Sequence, residues 1–293
     1  MHCSILTLPP GLFSWERLGH PGIDGSESTL WAGTEGANTA CHQDTYGENL
    51  VCQLAGTKVW TLFSPADSDK LRPSRVPYEE SSVYSLVNIQ HLERNSESVL
   101  EQLAGVVCYS VTLEPGDVLF VPHHWWHQVN TTSSWSLSVN TWLPHPEDDT
   151  ARLAEATVRW QLANTLRLLD TNTRRVFAST VSVRSQQVLF RRLILNPNEE
   201  DLADTPIEEL SELIKQAKHQ HKPPVSEEEY FSFKYDGEVE KVTGSPLSLP
   251  ASSLDPESVG GDIFSSSLVK VLNCLTDKTV IAQAVNNILR SDL

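Results

Sequence analysis

What this sequence lacks narrows it first. Nowhere along its 293 residues do Lys and Arg cluster, and 22 basic side chains stand against 38 acidic ones, a net charge of −16. Holding a polyphosphate backbone takes clustered cations, so a general nucleic-acid surface is not expected; a local groove for a structured RNA stays open. The five cysteines (Cys3, Cys41, Cys52, Cys108 and Cys274) are scattered, odd in number and never spaced C-x-x-C. That pattern argues against a disulfide framework or a zinc finger and for free thiols in a reducing compartment. No apolar run approaches the roughly 18 residues that span a bilayer, so no membrane association is expected. The opening MHCSILTLPPGLF has neither a basic start nor a long apolar stretch, and does not read as a signal peptide. No internal repeat is visible. The expectation is a soluble cytoplasmic protein, with the nucleus as the alternative.

What is present falls into zones. Residues 1–145 are rich in Gly, Pro, Trp and β-branched residues in short apolar runs, the pattern of a β-sandwich or barrel. NLVCQLAG followed by TKVWTLFSP predicts one hairpin. CYSVTLEPGDVLFVP predicts another, turning at Glu114–Asp117. SWSLSVNTWL alternates, with Trp135, Leu137, Val139 and Thr141 on one face and Ser136, Ser138, Asn140 and Trp142 on the other. Residues 146–222 turn helical. A first helix over about 147–169 starts with Glu147, Asp148 and Asp149, which suit its dipole. A second is predicted in TPIEELSELIKQAKHQH, capped by Thr205 with Pro206 and Glu208 in its first turn. Residues 223–262, rich in Ser, Pro, Glu and Gly, predict a flexible linker. Residues 263–293 hold a last amphipathic helix, about 265–289, that breaks near Thr276–Asp277.

Chemistry concentrates in two stretches. CHQDTYGENLVCQLAGTKVWTLFSP places His42 and Asp44 two apart, so on a strand they face one way. A further His from a neighbouring strand would complete a 2-His-1-carboxylate triad, a set that suits non-haem Fe(II). PGDVLFVPHHWWHQV offers His123, His124 and His127, and spacing alone does not choose among them. Trp125 and Trp126 beside them read as packing residues, one of them a candidate wall of a substrate cleft. Lys58 lies among Leu54, Val59, Trp60, Leu62 and Phe63. It is either a strand-edge residue with its ammonium in solvent or an internal cation awaiting an anion. Cys41 and Cys52 read as core fillers.

STLWAGTEGANTACHQDTYGENLVCQLAGTKVWTLFSP, LEPGDVLFVPHHWWHQV and SLSVNTW together resemble the JmjC family of oxygenases, and within it the small JmjC-only branch. The resemblance is dense over the β-region and thin toward the C-terminus. It implies a mainly β, double-stranded β-helix of jelly-roll, cupin-like kind, followed by an α-helical C-terminal region. It implies Fe(II) and 2-oxoglutarate as cofactors. His42 and Asp44 would be the first two iron ligands, and His127, in the family's P-x-x-W-W-H pattern, the third. Lys58 would pair with the distal carboxylate of 2-oxoglutarate, and Thr39 would bond the same group. Asn49 and Asn140 match polar residues near iron and co-substrate. The implied reaction is hydroxylation coupled to oxidative decarboxylation. A protein side chain is the expected substrate, with histone demethylation and tRNA hydroxylation as other branches of the family's chemistry. The implied partner is a small heat-shock protein, bound in stress by a chain acting as an enzyme or as an adaptor. The helical region would serve as a brace or a homodimer surface. One departure stands out: family members carry strands and helices ahead of the H-x-D strand, whereas MHCSILTLPPGLF resembles none of them. The expectation is that N-terminal strands are missing, through a truncated gene model or an alternative start.

Overall fold

A computed structural model describes residues 3–180, 194–195, 212, 214–215, 244–247 and 267–290. The described strands are β1 (Cys3–Thr7), β2 (Ser28–Thr34), β3 (Asn38–Asp44), β4 (Glu48–Ala55), β5 (Lys58–Phe63), β6 (Pro73–Glu79), β7 (Ser82–Ser85), β8 (Val107–Leu113), β9 (Val118–Val121), β10 (Trp126–Thr131), β11 (Trp135–Leu143) and β12 (Gly244–Pro246). The described helices are α1 (Glu97–Gln102), α2 (Asp148–Arg167), α3 (Thr171–Thr180), α4 (Ser267–Leu275) and α5 (Lys278–Arg290). They form two compact units. One comprises Met1–Arg72, Val87–His145 and Lys222–Pro250; the other comprises Pro73–Leu86, Pro146–His221 and Ala251–Leu293.

The first unit is mainly β, the fold class that the sequence predicts. One sheet runs β1-β2-β11-β4-β9, and the other includes β12-β8-β5-β10-β3. Among the described residues, the pairings between these strands are antiparallel. The two sheets meet through Trp60, Leu62 and Leu113 of one and Val51, Leu119 and Val121 of the other. They lie face to face and do not close into a barrel. On the far side of the first sheet, Val139, Leu143 and Leu50 pack with the fully buried Trp15, and Leu8, Phe13, Leu18 and Ile23 complete this layer. The opening stretch that matched nothing in the family is thus placed: Cys3–Thr7 pairs with β2, from Cys3 opposite Gly33 to Thr7 opposite Thr29.

Both expected hairpins are corrected. The strands and turns are where the residues put them, but β4 and β5 lie in different sheets, as do β8 and β9. The chain turns corners because local groups satisfy the backbone there without pairing the flanking strands. At the first corner the Gln53 amide donates to the carbonyls of Ala55 and Gly56, and Thr57 N–H donates to Ser133 Oγ. Gly56 has φ 64°, a left-handed conformation open to glycine. At the second corner, Glu114 N–H donates to the Asp117 carboxylate and Gly116 N–H to the Gln53 carbonyl. The alternation predicted for β11 holds: β2 and β4 pair with its two edges, Val139 and Leu143 pack against Trp15 on one face, and Ser138 and Asn140 bond to Lys58 and Asn49 on the other.

In the second unit, β6 and β7 form an antiparallel pair. Val76 and Tyr78 share a core with Leu153, Val158, Leu162 and Leu166 of α2, Val269 and Leu272 of α4, and Ile281 and Val285 of α5. Helix α2 begins where the acidic cluster predicts, and the break between α4 and α5 falls at Thr276–Asp277. Glu155 of α2 is buried against Arg75 of β6. The predicted helix at 205–221, with its cap at Thr205, Pro206 and Glu208, lies outside the described residues. So does most of the expected linker at 223–262; its described piece, Gly244–Pro246, is a strand paired with β8. Among the described residues no helix is long and apolar enough to cross a membrane.

The first corner generates a prediction. A Cβ at residue 56 would sit 2.0 Å from the Trp135 carbonyl oxygen and 2.5 Å from Ser133 Oγ. Gly56→Ala should therefore lower the free energy of unfolding by on the order of 1–3 kcal/mol, read as a lower urea midpoint at unchanged slope.

Candidate metal centre

The site is built by strand register. β10 runs antiparallel to β3 with His127 directly opposite His42, so the two side chains share a face. Asp44, two residues along β3, shares it too. Thr39 is three residues from His42 and would face the other way on a regular strand. However, the register shifts between His127 and Val129, where β3 bulges and Val129 comes to lie opposite Thr39. The extra residue restores the parity and turns Thr39 to the His42 side. On the other flank of β10, Thr131, Val129 and His127 lie opposite Lys58, Trp60 and Leu62. The inner face of this sheet therefore carries His42, Asp44, His127, Thr39 and Lys58 together.

The three ligand-type residues converge. His42 Nε2 is 3.5 Å and His127 Nε2 4.0 Å from Asp44 Oδ1. The imidazole centroids are 4.2 Å apart. His42, Asp44 and His127 form a group whose ligand atoms all lie within 4.8 Å of one another. Each imidazole Nδ1 contacts a carbonyl oxygen of its own strand region, Ala40 at 2.8 Å for His42 and Trp125 at 3.0 Å for His127. A carbonyl only accepts, so Nδ1 carries the proton and Nε2 presents its lone pair to the shared space. Burial, then the neighbouring His42, lowers the His127 pKa to about 4, leaving it neutral near neutrality. Burial raises the Asp44 carboxyl, but its attraction to the two neighbouring imidazoles and the Trp142 hydrogen bond outweigh it and bring it to about 2. A neutral imidazole and a carboxylate are the forms that ligate metal.

The facing sheet holds the carboxylate in place. Trp142 Nε1 donates to Asp44 Oδ2 at 2.9 Å, and the Asn49 amide donates to the same oxygen at 3.4 Å. Asn140 donates to Asn49 Oδ1 at 2.8 Å and accepts from Trp31 Nε1 at 2.7 Å. Asp44 Oδ2 is thus occupied while Oδ1 faces the histidines. Lys58 is 7% exposed and donates to Ser138 Oγ at 2.5 Å, which overturns the solvent-edge reading of this cation. Trp60, next to Lys58 on the same face, stacks on the His127 ring, centroids 5.6 Å apart.

The residues fit the groups that the sequence led one to expect. Two imidazole nitrogens and one carboxylate oxygen form the donor set of a facial Fe(II) triad; cis ligands about 2.1 Å from one ion stand about 3 Å apart, so from 3.5 and 4.0 Å the side chains would draw together to share an ion. The buried Trp60 Nε1 has no hydrogen-bond partner among the described residues. An oxygen-rich co-substrate lying between Lys58 and the triad would supply an acceptor. Cys41, wholly buried beside His42, has its thiol pushed up by desolvation, so it is no nucleophile.

His123 and His124 lie apart from the triad group. Trp126 is fully buried with its N–H on Ser68 Oγ, and Trp125 packs edge-on against Tyr109. Sequence reasoning did not single out Trp142, Ser138, Trp31 or Trp60 for the site. For Trp142 and Ser138 the signal was available: both share the Asn140 face of an alternating strand. For Trp31 and Trp60 only the pairing of distant strands supplies it.

The comparisons bear on the class of this region: residues 14–149 match the family model of the Cupin-like domain. Among similar proteins, "HSPB1-associated protein 1 homolog" of Danio rerio is 50% identical over 150 residues, covering 50% of this chain and 33% of that protein. "HSPB1-associated protein 1" of Homo sapiens is 47% identical over 145 residues, 50% of this chain and 29% of that protein. "Jumonji C domain-containing protein 5" of Drosophila melanogaster is 33% identical over 112 residues, 38% of this chain and 26% of that protein. The chain thus spans about a third of the length of the curated relatives it matches.

The lowered His127 pKa predicts how the metal-free protein responds to acid. Between about pH 6.5 and 4 the unfolded chain takes up a proton at this residue that the folded chain refuses. Stability should therefore fall as pH drops through that window, by on the order of 3 kcal/mol in full. Urea unfolding of wild type and His127→Gln across this range checks it, with a shallower pH slope expected for the variant.

Proposed function

We propose that this chain is an Fe(II)- and 2-oxoglutarate-dependent oxygenase of JmjC type that hydroxylates a protein side chain. One observation carries the reading: His42 Nε2, His127 Nε2 and an Asp44 oxygen converge on the same sheet face that carries buried Lys58. In this reading His42, Asp44 and His127 hold the iron. Lys58 and Thr39 hold the distal carboxylate of 2-oxoglutarate, a strong charge-assisted pairing inside a sandwich that excludes water. The bound metal and co-substrate supply the oxidative decarboxylation that activates oxygen. Asn49 and Trp142 hold Asp44 in its ligating orientation, and Asn140 holds Asn49. The setting proposed is the cytoplasm or the nucleus, a reading that the free thiols of Cys41, Cys52, Cys108 and Cys274 support.

The test is succinate release by the full chain with Fe(II), 2-oxoglutarate and ascorbate. Wild type should turn over and His42→Ala should fall to background. Lys58→Ala should raise the KM for 2-oxoglutarate about tenfold or more, the loss of one charge-assisted hydrogen bond. Equal background turnover in wild type and His42→Ala would remove the catalytic reading.

A second reading rests on a different observation, the name that the Danio rerio and Homo sapiens relatives carry. In it the chain is an adaptor that binds a small heat-shock protein in the stress response. Purified small heat-shock protein should then be captured equally by wild type and His42→Ala, with background succinate from both. Absence of capture by the wild-type chain removes this reading.

A further inference from the structure

The loop after β9 holds a second cluster of nitrogen donors that the iron-binding reading does not use. The His123 ring lies between two other imidazoles, with centroids 3.6 Å from His124 and 3.9 Å from His145, the latter pair nearly parallel at 7°. Its Nδ1 contacts the Gly47 carbonyl oxygen at 2.9 Å, so Nδ1 carries the proton and Nε2 the lone pair. That Nε2 is buried and has no hydrogen-bond partner among the described residues, a costly state for a polar atom. Packing alone would not select it, since an aromatic hydrocarbon ring stacks as well without a lone pair to bury.

Two further facts point to a ligand. His123 and His145 each offer a nitrogen to a group of donor atoms spanning no more than 4.8 Å. Nitrogens on one tetrahedral ion at ordinary Zn–N lengths stand about 3.3 Å apart; the lone pair lies in the ring plane, so one of the two stacked rings must turn out of the parallel arrangement for both to meet one ion. His124 sits at φ 61°, a left-handed conformation that costs a non-glycine residue of order 1 kcal/mol. The strained backbone presents its ring against His123 at the point where glycine would be the unstrained choice.

We propose that His123 and His145 form the core of a second metal site, separate from the triad, for a borderline divalent ion of the Zn2+ class, with the His124 ring stacked on His123 beside it. Neutral imidazoles suit such ions, and the backbone carbonyl on His123 Nδ1 is the kind of outer partner that orients a ligating histidine. The site stands independently of the oxygenase reading. It adjoins the β3–β4 turn through Gly47, three residues past Asp44, so an ion there would brace the turn that follows the triad carboxylate.

Calorimetric titration of the full chain with ZnCl2 alone tests it. Wild type should bind one more Zn2+ than His123→Gln/His145→Gln, while His42→Ala/Asp44→Ala keeps the second ion. His124→Gly, which relieves the positive φ, should melt no lower than wild type yet bind that ion at least tenfold more weakly. A circular dichroism spectrum matching wild type confirms folding of each variant. If the folded His123→Gln/His145→Gln chain matches wild type in stoichiometry and affinity, the site is overturned, as it is if every bound ion is lost with His42 and Asp44. Loss of an ion in the His42→Ala/Asp44→Ala chain reports on the triad alone, so failure of one site is distinguishable from failure of the other.

Discussion

The pairing of His127 with His42 across β10 and β3 is the constraint on which the rest of the site depends. Antiparallel register is a discrete variable, and a slip of one residue would send every side chain of β10 to the other face. With His127 opposite His42, the second imidazole lands beside the first, and Asp44 follows two residues on. The same ladder, continued through the other edge of β10, sets Lys58 opposite Thr131 and Trp60 opposite Val129. A single register thus places the proposed metal ligands and the proposed anion anchor on one face. The bulge in β3 is what brings Thr39 onto that face as well.

A face with three donor residues is not yet a rigid site. The opposing sheet makes it one, because the outer oxygen of Asp44 is fixed by Trp142 and Asn49, and Asn49 is fixed in turn by Asn140 and Trp31. The network ties β2, β4 and β11 to β3. Its members satisfy one another's donors and acceptors, which is the condition under which a buried polar network adds rigidity rather than cost. The corners at Gly56 and Gly116 matter for the same reason. They carry the chain from one sheet to the other, so that the residues on either side of a two-residue turn, such as Gln53 and Lys58, end on facing walls of one sandwich.

Much of this was legible in the residues. The strand segments follow from short β-branched and aromatic runs bounded by Gly and Pro, and α2 and the α4–α5 break follow from apolar spacing and from Thr276–Asp277. His42 and Asp44 are readable as a same-facing pair because the strand period is two. His127 was readable only through the resemblance of PHHWWH to a family pattern, since three histidines fit the spacing equally. The two hairpins were misread because turn chemistry reports that the chain reverses and not which sheet receives it.

By itself, then, the sequence determined the local conformations, the i, i+2 facing of His42 and Asp44, and the odd placement of Lys58 among apolar neighbours. Only the tertiary structure decided which histidine meets that pair, that a bulge turns Thr39 inward, and that Trp142, Asn49 and Ser138 cross from the facing sheet to Asp44 and Lys58. The physical reason is the range of the interactions. Alternation and turn preference act over a few residues, whereas register across β3–β10 and the packing of two sheets join residues some 80–100 apart in the chain, such as Lys58 with Ser138 and Asp44 with Trp142.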